Sequence, residues 1–192
     1  MRLARRNRIA SSRCAGAVLF ISLVVLLALT LLGVSGVQTA TLELRMARNQ
    51  HDYALALQAA ESALREGEHW LASAGQSAAF SQVGVNGLWT VAPLGERSRW
   101  ELPGVWGDGR SVASPSPVVS LSAAEPRYLV EHLESVAALG SDGSVDESAA
   151  PAKVFRVTAR GVGATDGAVV LLQSTFAPAF GRLSWSELPV PG

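Results

Sequence analysis

The sequence predicts an α+β chain: a long N-terminal helix whose first part is apolar enough for a membrane and whose second part packs on a small antiparallel β-sheet domain. Three observations carry this prediction. No charged residue occurs between Arg13 and Glu43. The apolar rhythm then continues in steps of three and four as far as Leu71, the period of a helix face. Beyond Pro126 the pattern changes to short alternating runs separated by Gly-rich turns, the period of strands.

The first element is a basic leader. Arg2, Arg5, Arg6, Arg8 and Arg13 account for five of the 16 basic residues, and no acid precedes Glu43. The formal net charge of zero therefore conceals a remainder of about −5. That balance argues against nucleic acid as a partner, which requires a basic face. Arginines on this side hold the N-terminus in the cytoplasm and send the rest of the chain to the periplasm. Cys14 is the only cysteine, so no intrachain disulfide forms. It stands before the apolar run, whereas a lipid-modified cysteine follows one, and reads as a leader residue without a role.

The second element is the apolar helix. The 29 residues between Arg13 and Glu43 would span about 43 Å as a helix, against about 30 Å of hydrocarbon. A cleaved secretory signal has an apolar stretch of only about 7–15 residues followed by a break. Here Leu, Val and Ala continue without proline, so the segment reads as a single-pass anchor, with residues 17–37 as its transmembrane half. Gly33 and Gly36 each cost about 1 kcal/mol of helix propensity. They read either as points of close packing or as a segment that extends when packed among copies of itself.

The third element, residues 38–73, is the amphipathic half of the same helix. Leu42, Met46, Asn49, Tyr53, Leu57, Ala60, Leu64, Gly67 and Leu71 form the stripe; Gln50, Asp52, Gln58, Glu61, Arg65 and Glu68 fall largely on other faces. Glu61 and Arg65 form an i,i+4 pair in the favourable order. One continuous helix from Ala17 to Leu71 would be about 80 Å long.

Residues 74–192 form the β domain. "GLWTVAP" (87–93) offers a short strand and "SPSP" (114–117) a loop. Arg127–Glu134 alternates Tyr128, Val130 and His132 against Leu129, Glu131 and Leu133. "GSDGSVDESAAP" (140–151) is a loop by composition. Val154–Arg160 sets Phe155, Val157 and Ala159 inward and Arg156, Thr158 and Arg160 outward, and Ala168–Ala177 follows after a Gly-rich turn. These make an antiparallel meander of three or four strands.

Enzymatic chemistry finds little support. Asp142, Asp146 and Glu147 beside Gly143 lack the spacing of a calcium loop, and a solvated loop is the simpler reading. His51, His69 and His132 are far apart without a cysteine partner or an HExxH pair, and no Gly-x-Ser-x-Gly elbow occurs. No cofactor, metal site or catalytic residue is expected. Of Trp70, Trp89, Trp100, Trp106 and Trp185, most read as core. Trp100 and Trp106 flank "ELPGV" in a loop and are the candidates for a partner interface.

A short basic leader, the Gly16-Ala17 junction and an apolar helix running into an amphipathic one resemble a type IV prepilin. "GAVLFISLVVLLALTLLGVSGVQTATLELRMARN" and "QAAESALREGE" (58–68) resemble the N-terminal region of PilX-type minor pilins more closely. "FRVTARGVGATDGAVVLLQSTF" (155–176) is similar to the same family near its C-terminus. The resemblance implies a pilin-like fold and a cleaved leader, residues 1–16. It implies cutting by a prepilin peptidase between Gly16 and Ala17, and methylation of Ala17 as the new N-terminus. Ala17 departs from the usual Phe at that place. Ile21 stands where most pilins carry the glutamate thought to pair with a neighbour's free amine. A buried amine without a partner is costly in hydrocarbon, so a subunit lacking the carboxylate suits the fibre tip.

The expectation is therefore a minor pilin without enzymatic activity, taking part in pilus assembly at the tip within a minor-pilin initiation complex. It would reside in the inner membrane, N-terminus cytoplasmic and C-terminal domain periplasmic, and later in the pilus. Its implied partners are the prepilin peptidase, other minor pilins, the major pilin, the bilayer before assembly, and a tip adhesin as a further candidate. Two alternatives stay open: a K-like pseudopilin of a type II secretion system, and a permanently anchored periplasmic binding domain.

Overall fold

A computed structural model describes residues 15–73, 77–107, 109–115, 121–133, 135 and 151–190. Residues 1–14 of the leader, the acidic loop 142–147 and part of "SPSP" lie outside the described residues. Helix α1 runs from Ala15 to Ser73. The chain divides into two compact units, Met1–Arg48 and Asn49–Gly192.

In the first unit α1 is the only described element, and its apolar side chains from Val18 to Val37 are exposed among the described residues. In the second, residues 49–73 of α1 lie on a six-stranded sheet of order β1-β3-β4-β5-β6, with β2 paired to β3. The strands are β1 Leu88–Thr90, β2 Val112–Ala113, β3 Arg127–His132, β4 Phe155–Val162, β5 Val169–Ala177 and β6 Gly181–Leu188. The pairs β3–β4, β4–β5 and β5–β6 are antiparallel.

The sheet is mixed rather than wholly antiparallel, because β1 runs parallel to β3, with Trp89 opposite Glu131. Parallel neighbours need a long crossover. The segment between them supplies it, and Trp100 and Val105 from that segment cover the sheet's second face. Two cores result. Between α1 and the sheet lie Ala56, Ala60, Ala63, Leu64, Leu71, Tyr128, Val130, Phe155, Val157, Ala159, Val170 and Leu172. On the opposite face Trp89, Trp100, Val105, Leu129 and Leu171 pack together, with Leu102, Trp106 and Leu188 at the margin.

This second layer corrects the expectation that Thr158 points to solvent. Thr158 is fully buried and accepts a hydrogen bond from Gln173 Nε2 at 3.1 Å. Strand β6 was absent from the sequence expectation. Its signal is the alternation Leu183-Ser184-Trp185-Ser186 between Gly181 and Pro189.

Candidate processing junction and assembly helix

Fourteen large apolar side chains from Val18 to Val37 are exposed. Each is worth about 1.5–3 kcal/mol when withdrawn from water. Together they amount to roughly 20–40 kcal/mol, more than the 5–15 kcal/mol that holds a typical domain folded. Such a surface needs lipid or other apolar helices around it. The helix is long and apolar enough to cross a membrane, with a mean hydropathy of 2.9 in its best window.

The polar groups on this stretch are suited to the same surroundings. Ser22 Oγ donates to the Leu19 carbonyl at 2.8 Å and Thr30 Oγ1 to Leu27 at 2.8 Å. Thr39 Oγ1 donates to Ser35 at 3.1 Å and Thr41 Oγ1 to Val37 at 2.6 Å. Their hydroxyl protons are satisfied within the helix, which removes the main penalty for polar groups in hydrocarbon. Gly16 and Ala17 lie in the first turns of α1. Ile21, at the fifth place after Gly16, is exposed and brings no carboxylate.

Beyond Arg48 the helix is held by close approach at glycines and alanines as well as by the buried Leu64 and Leu71. A Cβ added to Gly161 would lie 2.1 Å from the Ala56 carbonyl oxygen and 2.3 Å from Ala60 N. One on Gly163 would lie 2.2 Å from Asp52 Oδ1, and one on Gly67 would lie 2.8 Å from Val157 Cγ1. Gly161 of "TARGVG" thus faces the backbone of Ala56 and Ala60, while Gly163 faces Asp52 one turn earlier on α1. This spacing moves the buried stripe off Tyr53, which is exposed, onto Ala56, Ala60 and Ala63.

Polar clasps tie the helix to the sheet at three levels. Asp52 accepts from Thr165 N at 3.2 Å and from Thr165 Oγ1. These bonds, the hydroxyl's first, hold the Asp52 carboxyl below its ordinary pKa. Tyr53 Oη donates to Glu187 at 2.9 Å. Glu68, expected on a polar face, is instead buried. Its Oε1 accepts from Ser174 Oγ at 2.6 Å and from Arg182 Nε at 2.8 Å, and its Oε2 accepts from Arg182 Nη2 at 2.8 Å. Strand alternation puts Ser174 and Arg182 on the helix side of β5 and β6, a fact invisible without the register. The expected Glu61–Arg65 pair is present at 2.6 Å. Both partners are exposed, so it contributes only a few tenths of a kcal/mol.

Trp100 is 8% exposed and Trp106 half-buried, both against Trp89, Val105 and Leu129. The ring of Trp100 is therefore spent inside its own domain, because the crossover folds it onto the sheet. Among the described residues the exposed aromatics are Phe20 on the apolar helix and, in the second unit, Tyr53, Phe180 and Trp185. Among the described residues no group of three His, Cys, Asp or Glu side chains could hold a metal ion. His132 packs between Phe80 and Phe155 at 5.5 and 5.3 Å.

Glu131 is the second carboxylate that the sequence did not flag. It is fully buried on the crossover side, 3.7 Å from Arg156 Nη1, and neither oxygen has a hydrogen-bond partner among the described residues. Burial pushes its pKa above the ordinary 4.5, opposed by the charges of Arg156 and Arg99. The folded chain holds this proton more tightly than the unfolded one. Its contribution to stability is therefore fully present below about 4.5 and is lost as pH rises through the higher folded value. Glu131→Gln is expected to flatten that decline. Urea unfolding of the full-length chain in detergent from pH 4 to 8 checks it; parallel curves for the two proteins would show that Glu131 titrates normally.

No curated protein and no solved structure matches the chain at a significant level. Two family descriptions do match: PilX N-terminal over residues 15–65, and Type IV pilus assembly protein PilX C-term over residues 43–178, more than half of the chain. They meet on α1, where the apolar helix passes into the glycine–alanine contact, and together they reach from the junction to the end of β5. A helix that demands apolar company, clasped to a small sheet that carries it, is the build of a pilus subunit, and the chain belongs to the PilX-type minor pilins, a family of type IV pilus assembly proteins.

Proposed function

We propose that the chain is made as a single-pass precursor in the inner membrane, N-terminus cytoplasmic. A prepilin peptidase removes residues 1–16 by cutting between Gly16 and Ala17, and Ala17 is then methylated. Residues 17–37 serve as the membrane half of the helix and 38–73 as its amphipathic half, while 74–192 form the periplasmic β domain. The mature subunit joins other minor pilins and the major pilin at the tip of the fibre, as part of the complex that initiates assembly. A tip adhesin is a further partner of the same surface, and Trp106 at the margin of the back core is the remaining candidate from the loop for such contact.

The observation that carries this reading is the exposed apolar helix. In the bilayer its side chains are solvated by lipid; in a fibre they are solvated by the same helix of neighbours. Apolar area stays covered in both states, so extraction from the membrane costs little hydrophobic free energy. The tip position rests on Ile21: without a carboxylate the subunit does not neutralise an earlier subunit's amine, a need that the first subunit does not meet.

The mass and N-terminal sequence of the chain made with a prepilin peptidase test the reading. The expected product begins at Ala17. Gly16→Leu is expected to leave full-length precursor in the membrane and to remove the chain from sheared fibres. Normal incorporation of that variant would show that processing does not depend on the glycine.

A further inference from the structure

We infer that the outer edge of β6 is an assembly surface that takes up one extended, neutral strand from a neighbouring pilus subunit by β-augmentation. The inference rests on the assembly role proposed above and names the contact it uses. Strand β6 is the last in the sheet order and pairs only with β5 among the described residues. Six consecutive residues, Arg182 to Glu187, are exposed, including Leu183 at 54% and Trp185 at 46%. At about 3.3 Å per residue the strand offers an edge of roughly 25 Å.

Soluble proteins blunt such edges with charge, proline or a covering element. Here the only charges on the strand stand at its two ends, and both are engaged by α1: Arg182 by Glu68, and Glu187 by Tyr53. The four residues between them, Leu-Ser-Trp-Ser, carry neither charge nor proline. The same clasps hold the strand in place against the helix, so the template is built before a partner arrives. What satisfies a row of backbone donors and acceptors is another extended backbone. Cross-strand pairing sets its chemistry: an apolar or aromatic residue beside Trp185, alternating with hydroxyl or amide residues beside Ser184 and Ser186.

Prolines placed singly at Ser184 and Trp185 in the full chain test this. Neighbouring residues of a strand turn their N–H groups to opposite edges. One of the two variants therefore keeps the β5–β6 ladder and loses only an outward donor. It is expected to retain wild-type protease resistance and processing, yet to fall at least tenfold in sheared fibres. A folded proline variant that enters fibres at the wild-type level would overturn the proposal. A second measurement does not depend on proline: Ser186→Cys in a Cys14→Ser chain, labelled with a maleimide. The thiol is expected to react in membrane-held subunits and to be protected in fibres; equal labelling in both overturns the edge contact. Absence of the wild-type chain from sheared fibres would instead overturn the assembly reading, and this contact with it.

Discussion

Gly161→Ala is expected to destabilise the Asn49–Gly192 unit by about 3 kcal/mol or more, and Gly161→Val to prevent the helix from seating at all. The added carbon would lie 2.1 Å from the Ala56 carbonyl oxygen and 2.3 Å from the Ala60 amide nitrogen. Both are backbone atoms of α1, so no flexible side chain can swing aside. The helix would have to lift from β4, opening the space now filled by Ala56, Ala60 and Ala63 across from Phe155, Val157 and Ala159. Gly167→Ala is the control, since a Cβ there meets nothing closer than 4.0 Å, and its effect should stay within about 0.5 kcal/mol. Chemical unfolding of the full-length chain in detergent, followed by tryptophan fluorescence, measures both. A Gly161→Ala variant as stable as the control would mean that the helix does not approach the strand as closely as described.

The second large effect is expected at Glu68. Glu68→Ala removes the acceptor of three hydrogen bonds and takes from the hydroxyl of Ser174, which is fully buried, the carboxylate it donates to. Breaking a buried ion pair by removing one member costs about 3–5 kcal/mol. The Arg182 side chain is 36% exposed, and water takes over part of its solvation, so about 2–3 kcal/mol is the expected loss. The damage should be local. β6 has few apolar contacts of its own apart from Leu188 at the back core, and losing the clasp should speed amide hydrogen exchange in Gly181–Leu188 more than in β3 or β4. Glu68→Gln, which still accepts from Ser174, is expected to recover about half of the loss. Uniform exchange across the sheet in Glu68→Ala would place the clasp among ordinary core contacts.

The elements whose side chains repeat with a single period were legible in advance. The charge-free run and the three-and-four rhythm up to Leu71 mark α1 without tertiary knowledge, and the alternations at Arg127, Val154 and Ala168 mark β3, β4 and β5. β1 was visible as "LWT", but its direction was not: parallel pairing with β3 depends on the crossover reaching over the back of the sheet. Trp100 was placed in a partner-facing loop because a Gly- and Pro-flanked aromatic looks the same from sequence whether the loop closes over its own sheet or points away. Glu68 read as a helix-surface acid and Glu131 as one member of a strand face with Leu129 and Leu133, since nothing local distinguishes a carboxylate that meets Arg182 across more than a hundred residues from one that meets water.

Taken alone, the amino-acid order determined that the N-terminal segment requires an apolar environment, that a glycine stands at the head of the apolar run, and that a small β domain follows the long helix. These are local properties, fixed by composition and spacing within one helix or strand. The tertiary structure decided which glycines must stay glycine, which acids are clasps, and which strand stands last in the sheet among the described residues. Those outcomes depend on how residues far apart in sequence meet, at distances where a single carbon or one unpaired charge outweighs any local preference.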